Sequence, residues 1–235
     1  MASPEVDAAA RVALVTGASS GLGLELAVRL AADRAVVGVS RARPADERWA
    51  WLAGCGRFAH VPGDVSDPAV VARAFGFADT LGVLDLVVNC AGAGRFGPAG
   101  TSGRGDVDAA LAGSLVGLIL FSEMAFARFL LAGGTIVNVL STASRVARAG
   151  EAVYCAAKWG ARGYTETLHL EARGSAVRVL AVYPGGMRTR FWDRAGRRHR
   201  EYAHFLDPAE VADIVVDALR QGRLAHVSEL TIARR

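Results

Sequence analysis

RVALVTGASSGLGLELAVRLAA, residues 11–32, decides the fold. Arg11 to Val15 is a short apolar run of the kind buried on both faces in a parallel sheet. It breaks into a glycine-rich turn, TGASSGLG from Thr16 to Gly23, and Leu22, Leu26, Val28 and Leu30 then recur at near-helical spacing. A strand, a glycine turn and a helix in that order give such a turn its meaning. Gly17 allows the tight turn. Gly21 and Gly23, on either side of Leu22, remove side chains where a pyrophosphate would approach the N–H groups of the helix start, and Ser19 and Ser20 can add hydroxyl donors. The alternative is a glycine-rich turn that only joins strand to helix.

The pattern continues outward from there. Apolar strands recur at Ala35 to Val39, Phe58 to Val61, Leu84 to Val88, Thr135 to Leu140, Ala176 to Val182 and Ser228 to Ile232. Helical stretches separate them. A short one is expected within 43–56, one starts at Asp67-Pro68 and runs to about Thr80, and a long one spans roughly 106–131. Two more are expected over 151–173 and from Asp207-Pro208 to about Gln221. Alternating strands and helices predict an α/β protein, a doubly wound Rossmann fold whose parallel sheet of about seven strands carries helices on both faces. No linker or repeat interrupts it, so 11–235 reads as a single domain behind a loose lead over 1–10.

Composition narrows the function classes. The chain has 235 residues, 52% of them apolar and 21% charged, which suits a well-buried globular protein. A net charge of +4 with no uniform basic face gives no reason to expect a nucleic-acid partner. No apolar run reaches spanning length without Gly or charge, and MASPEVDAAAR lacks the basic and apolar regions of an export signal, so neither a membrane nor secretion is expected. Cys55, Cys90 and Cys155 are odd in number and irregularly spaced, and His60, His169, His199, His204 and His226 show no ligand spacing. No metal site is expected, the histidines read as structural or surface residues, and the setting reads as the reducing cytoplasm.

A second stretch, STASRVARAGEAVYCAAK over residues 141–158, carries the chemistry. Tyr154 and Lys158 are four apart, so a helix starting near Glu151 puts both on one face. An ammonium beside a phenol favours phenolate, which lowers the tyrosine pKa and suits Tyr154 to acid–base work. Lys158 is also the one lysine among 27 basic residues, which suggests a position that needs a compact ammonium instead of a planar guanidinium. The competing reading is a chance Tyr-x-x-x-Lys on a solvated helix face.

Taken together, these stretches resemble the short-chain dehydrogenase/reductase superfamily in its compact single-domain branch, along nearly the whole chain. TGASSGLG matches TGxxxGxG, Asn89-Cys90-Ala91-Gly92 matches NNAG with Cys90 replacing the second Asn, and Tyr154 to Lys158 matches YxxxK. Ser141 stands thirteen residues before Tyr154, and Pro184-Gly185-Gly186-Met187-Arg188-Thr189 matches PGxxxT. The resemblance implies hydride transfer between a nicotinamide cofactor and a carbonyl or alcohol. Tyr154 would protonate the carbonyl oxygen, Ser141 would hydrogen-bond it, and Lys158 would lower the Tyr154 pKa and hold the nicotinamide ribose. A proton-relay asparagine of the family falls on Ser114, whose shorter side chain would need an extra water.

The resemblance places the cofactor along the turn from Gly17 to Gly23, including Ser19, Ser20, Gly21 and Leu22. It then runs past Ser40 and Arg41, past Asp64 and Val65, and past Asn89, Ala91 and Gly92. Tyr154, Lys158, Pro184, Gly185, Met187 and Thr189 complete the set. Asp64 would contact the adenine or else cap a helix, and Asn89 would brace the central strands as much as touch the cofactor. Ser40 and Arg41 end the second strand where NAD-preferring members carry an acidic residue, so NADP(H) is expected over NAD(H), with Arg41 clamping a 2′-phosphate. Residues 187–207 correspond to a substrate lid, in which Phe191, Trp192, Tyr202 and Phe205, with Phe96 and Arg95, would close on a small or medium carbonyl or secondary alcohol. The arginines of that stretch (188, 190, 194, 197, 198 and 200) read first as a solvated face and second as a receptor for an anionic substrate. A homodimer or homotetramer built on the two long helices is implied. A dinucleotide-binding sensor or partner-binding module with little turnover is the alternative that Ser114 encourages.

Overall fold

A computed structural model describes residues 10–44, 46–195, 204–220 and 225–235. Seven strands form one sheet: β1 (Arg11–Thr16), β2 (Ala35–Ser40), β3 (Phe58–Pro62), β4 (Val83–Asn89), β5 (Gly134–Val139), β6 (Val177–Pro184) and β7 (Glu229–Ile232). Every pairing is parallel and the order is β3-β2-β1-β4-β5-β6-β7. The order reverses between β1 and β4, and a crevice opens there at the carboxyl ends of the strands. The expected α/β Rossmann fold is the fold observed.

Helices cover both faces, which explains why β1 and β2 are almost uniformly apolar. On one side α1 (Gly21–Leu30) and α8 (Pro208–Leu219) bury Leu24, Leu26, Val211 and Val215 against the sheet. Arg29 ties these two helices, bonding Glu25, Asp213 and the Ala209 carbonyl. On the other side α3 (Pro68–Leu81), α5 (Gly117–Ala132) and α6 (Ala152–Glu171) bury Phe75, Phe121, Phe129 and Leu168. The Asp-Pro starts act as expected: the Asp67 carboxylate accepts from Ala69 N at 2.8 Å and that of Asp207 from Ala209 N at 2.9 Å. The short α2 (Glu47–Gly54) lies across the β2–β3 edge with Trp49 buried.

The long helix expected over 106–131 differs in one respect. It runs as α4 (Arg104–Leu111), a π turn (Ala112–Val116) and then α5. Small residues at the turn let neighbouring chain close in: a Cβ on Gly113 would lie 3.1 Å from Ala93 Cβ, and one on Gly117 would lie 2.4 Å from Val65. By length and composition the stretch Arg104–Ala132 could cross a bilayer. One face of it, with Leu118, Phe121, Ala125 and Phe129, is buried in the fold, while Val116, Met124, Leu130 and Leu131 are exposed.

Candidate active site

One cleft of about 570 Å³ opens over the crevice. Its floor is the turn between β1 and α1. Gly17 and Gly21 take positive φ values of 69° and 54°, which side chains rarely adopt. Contact excludes side chains as well: a Cβ on Gly17 would sit 2.9 Å from the Ala91 backbone, one on Gly21 2.9 Å from Thr189 Cγ2, and one on Gly23 2.3 Å from the Gly17 carbonyl oxygen. Ser20 is the N-cap of α1 and makes no side-chain cap bond, and the first turn holds no acidic residue. A helix start of this kind, stripped of side chains, fits a pyrophosphate. Thr16, which the sequence reading passed over, locks the crevice: its Oγ1 accepts from Cys90 N at 3.0 Å and Ala91 N at 3.1 Å.

Ser40 and Arg41 from β2, and Asp64 and Val65 after β3, line the adjoining rim. Hydrogen bonds from Ser66 N and Oγ, at 2.9 and 2.7 Å, hold the Asp64 carboxyl below its ordinary pKa, and the nearby charge of Arg41 adds a smaller push. Ala91 and Gly92, then Pro184, Gly185, Met187 and Thr189, close the remaining wall, with Ser19 and Leu22 on the floor.

The reactive groups stand at the far end. α6 sets Tyr154 and Lys158 one turn apart, both inside the cleft and both buried. Ser141 caps the 3-10 turn Thr142–Ser144, its Oγ accepting from Ala143 N at 3.0 Å, and it lines the same cleft as the phenol. Burial pushes the Tyr154 pKa up to about 12; the neighbouring Ser141 hydroxyl pulls it back and the charge of buried Glu151 adds to the rise. Burial pushes Lys158 down to about 8 while its Nζ donates to the Val139 carbonyl at 2.9 Å. The expectation that Lys158 would lower the tyrosine is not met: removing the phenol from water disfavours phenolate, and the opposing pushes come from Ser141 and Arg148. Cys90, in the cleft wall, is likewise pushed up to about 12 by burial, with Lys158 opposing.

Above Tyr154 lies an aromatic wall. Phe96 meets the Tyr154 ring edge-on at 5.5 Å, and Phe191 of α7 (Phe191–Arg194) lies 5.5 Å from it on a tilt. Trp192 stacks against Phe96 and Phe205, and its Nε1 donates to the Met187 carbonyl at 2.7 Å. This is the described part of the stretch expected to act as a lid. Tyr202 and the arginines at 197, 198 and 200 lie outside the described residues, as does the side chain of Arg194. Arg188 pairs with Asp207 at 2.7 Å, which spends its charge within the protein.

A family model described as short chain dehydrogenase matches residues 11–199. The chain belongs to the short-chain dehydrogenase/reductase family. D-threitol dehydrogenase of Mycolicibacterium smegmatis is 34% identical over 228 residues, covering 95% of this chain and 84% of the relative. Among solved structures, a variant of the actinorhodin polyketide ketoreductase with NADPH is 26% identical at a TM-score of 0.82, covering 96% of both chains. A 3-ketoacyl-(acyl-carrier-protein) reductase from Brucella melitensis complexed with NADH is 27% identical at a TM-score of 0.84, covering 94% of this chain and 96% of that one. One of these structures holds NADPH and the other NADH, so likeness alone leaves the choice of cofactor to the residues at the β2 end.

Two family positions in this short-chain dehydrogenase sit outside the cleft. Asn89 lies behind it, where its Nδ2 donates to Ser122 Oγ and Asn138 Oδ1, both at 2.9 Å, and Asn138 Nδ2 passes the chain on to Thr165 Oγ1 at 3.0 Å. That network braces β4 and β5 against α5 and α6, which is the structural half of the two roles expected for Asn89. Ser114, in the π turn, donates to the Ala93 carbonyl at 2.7 Å and accepts from Ala93 N at 3.0 Å. Its hydroxyl is engaged in both directions with the loop after β4, where an asparagine relay was expected to face the reacting end.

Proposed function

We propose that this protein is an NADP(H)-dependent carbonyl reductase or alcohol dehydrogenase acting on small or medium carbonyl and secondary-alcohol substrates. One observation carries the reading: the Tyr154 phenol, beside Ser141 and walled by Phe96 and Phe191, lies in the same cleft as the glycine-rich turn at Gly17 to Gly23. The bound nicotinamide supplies or takes up the hydride. The two hydroxyls of Ser141 and Tyr154 converge to hold a carbonyl oxygen, and Tyr154 gives that oxygen its proton. A phenol pushed up to about 12 stays protonated at neutral pH, which suits it to the donor role and hence to reduction. Lys158 holds the nicotinamide ribose, and Ser114 positions the Ala91–Ala93 loop from behind through its two bonds to Ala93.

The preference for NADP(H) rests on Arg41, which stands on the cleft rim at the end of β2 where no carboxylate would repel a 2′-phosphate. The aromatic wall excludes water from the reacting end. Assembly as a homodimer or homotetramer is supported by exposed apolar side chains on the two long helices: Val116, Met124 and Leu131 on one, Trp159 and Leu170 on the other. The free cysteines support a reducing cytoplasmic setting.

A panel of ketones and aldehydes, assayed with NADPH and with NADH, tests the reading. Turnover with NADPH that disappears in Tyr154→Phe while cofactor binding survives is the expected result. Binding without turnover on the whole panel would favour a dinucleotide-binding sensor, the second reading, which the engagement of Ser114 with Ala93 keeps in play.

A further inference from the structure

The turn that presents Arg41 is closed from behind by a histidine that does not line the cleft. His60 stands on β3 opposite Gly38 of β2, with the Trp49 ring edge-on at 4.9 Å. Arg43 Nε donates to His60 Nδ1 at 3.3 Å. A guanidinium only donates, so Nδ1 carries the lone pair and the ring hydrogen is on Nε2. Nε2 lies 3.0 Å from Ser40 Oγ and 3.2 Å from the Ser40 carbonyl oxygen, and Ser40 Oγ in turn donates to the Ala42 carbonyl at 3.1 Å. All the bonds run one way, from Arg43 through His60 and Ser40 to Ala42. Burial lowers the pKa of His60, as does the charge of Arg43, so the neutral ring this chain needs is the form present at neutral pH.

Two consequences follow for the rim. The Ser40 hydroxyl hydrogen points into the turn, so Ser40 does not serve a cofactor oxygen as a donor. The turn is a closed loop pinned at residues 40, 42 and 43, and Arg41 is the one charged side chain it holds toward the cleft. We propose that His60 is the positioning residue for cofactor selectivity: it orders the Ser40–Arg43 turn so that Arg41 meets the adenosine 2′-phosphate, without touching the cofactor itself. This rests on the NADP(H) reading above.

The test is the dissociation constant of NADPH and of NADH, with steady-state kinetics, for the wild type, His60→Phe, His60→Gln, Arg41→Ala and the Arg41→Ala/His60→Phe double variant. His60→Phe keeps a ring against Trp49 and removes the hydrogen bonds to Arg43 and Ser40. It should weaken NADPH by about tenfold and raise its KM, while NADH stays within about twofold and kcat at saturating NADPH holds. His60→Gln, which retains a donor toward Ser40, should recover most of the loss. In an Arg41→Ala background His60→Phe should cost NADPH nothing further, because the two act through one contact. Equal weakening of both cofactors, or a full additive loss in the Arg41→Ala background, would reduce His60 to a packing role and overturn the proposal. Should His60→Phe fail to fold, Arg43→Ala, which alters an exposed side chain, carries the same comparison with the same criteria. A wild type that binds NADH more tightly overturns the cofactor reading and this proposal with it. A wild type that prefers NADPH, with the preference unchanged in the variants, overturns the His60 proposal alone.

Discussion

The turn at Gly17 to Gly23 and the wall of Phe96, Phe191 and Trp192 face one another across a single cleft and are made of different material. The turn is backbone, held by positive-φ glycines and by approaches of 2.3 to 2.9 Å that exclude a Cβ. The wall is side chains, with ring centroids 5.4 to 5.9 Å apart, contributed by the loop after β4 and by α7. Backbone at such distances cannot adapt to an added atom, whereas packed rings can shift to suit another shape. On the proposed reading the first half decides whether a dinucleotide binds at all, and the second decides which carbonyl reaches Tyr154.

The most severe way to sharpen that division is Tyr154→Phe, which removes one oxygen and leaves both halves intact. Turnover should fall by about 10³-fold with cofactor affinity within about twofold, as read by single-turnover rates and cofactor fluorescence titration. Next in size is Gly23→Ala. The added methyl meets the Gly17 carbonyl, so cofactor affinity should drop by about 100-fold; retention of wild-type affinity would break the claim that the turn tolerates nothing. Phe191→Ala acts on the other half, where KM for the carbonyl substrate should rise by about tenfold while the cofactor Kd stays put. A comparable loss of cofactor binding would show that the halves are not separable.

The remaining prediction concerns stability instead of turnover. Lys158 titrates near 8 in the fold against 10.5 in the unfolded chain, so the unfolded chain binds the extra proton between those values. The cost of holding the buried ammonium is present in full below about pH 8 and is relieved as pH rises toward 10.5. It is on the order of 3 kcal/mol, and Lys158→Met should therefore raise Tm at pH 7 by roughly 6–12 °C in a thermal melt. If Lys158 holds the ribose as an ammonium, kcat/KM for reduction in the wild type should fall as pH rises past about 8.

The same division explains what could be read from the chain beforehand. The strand positions, the glycine turn, the Asp-Pro helix starts and the Tyr154–Lys158 face are local, encoded within a few residues by periodicity and backbone preference. Thr16 bonding Cys90 and Ala91, His60 bonding Ser40, and Trp192 stacking on Phe96 join residues that lie 20 to 96 apart along the chain. No spacing rule points to such pairs. The direction of the Tyr154 shift was also out of reach, since it depends on how completely three separate segments exclude water from one phenol. The π turn gave no signal because Leu111 to Gly117 satisfies helical periodicity in either form.

That π turn carries one residue more than an α-helix of the same span would need. Deleting a single position within Ala112–Val116 should leave the face of α5 seated on the sheet, because the surplus is confined to the turn. Ser114 would then swing off Ala93, and the loop beside the nicotinamide end would lose its tether. Faster hydrogen exchange at the Ala93 amide, with the amides of α5 still protected, is the signature to look for. The helix thus carries its spare residue as a hook for the loop that passes beside it.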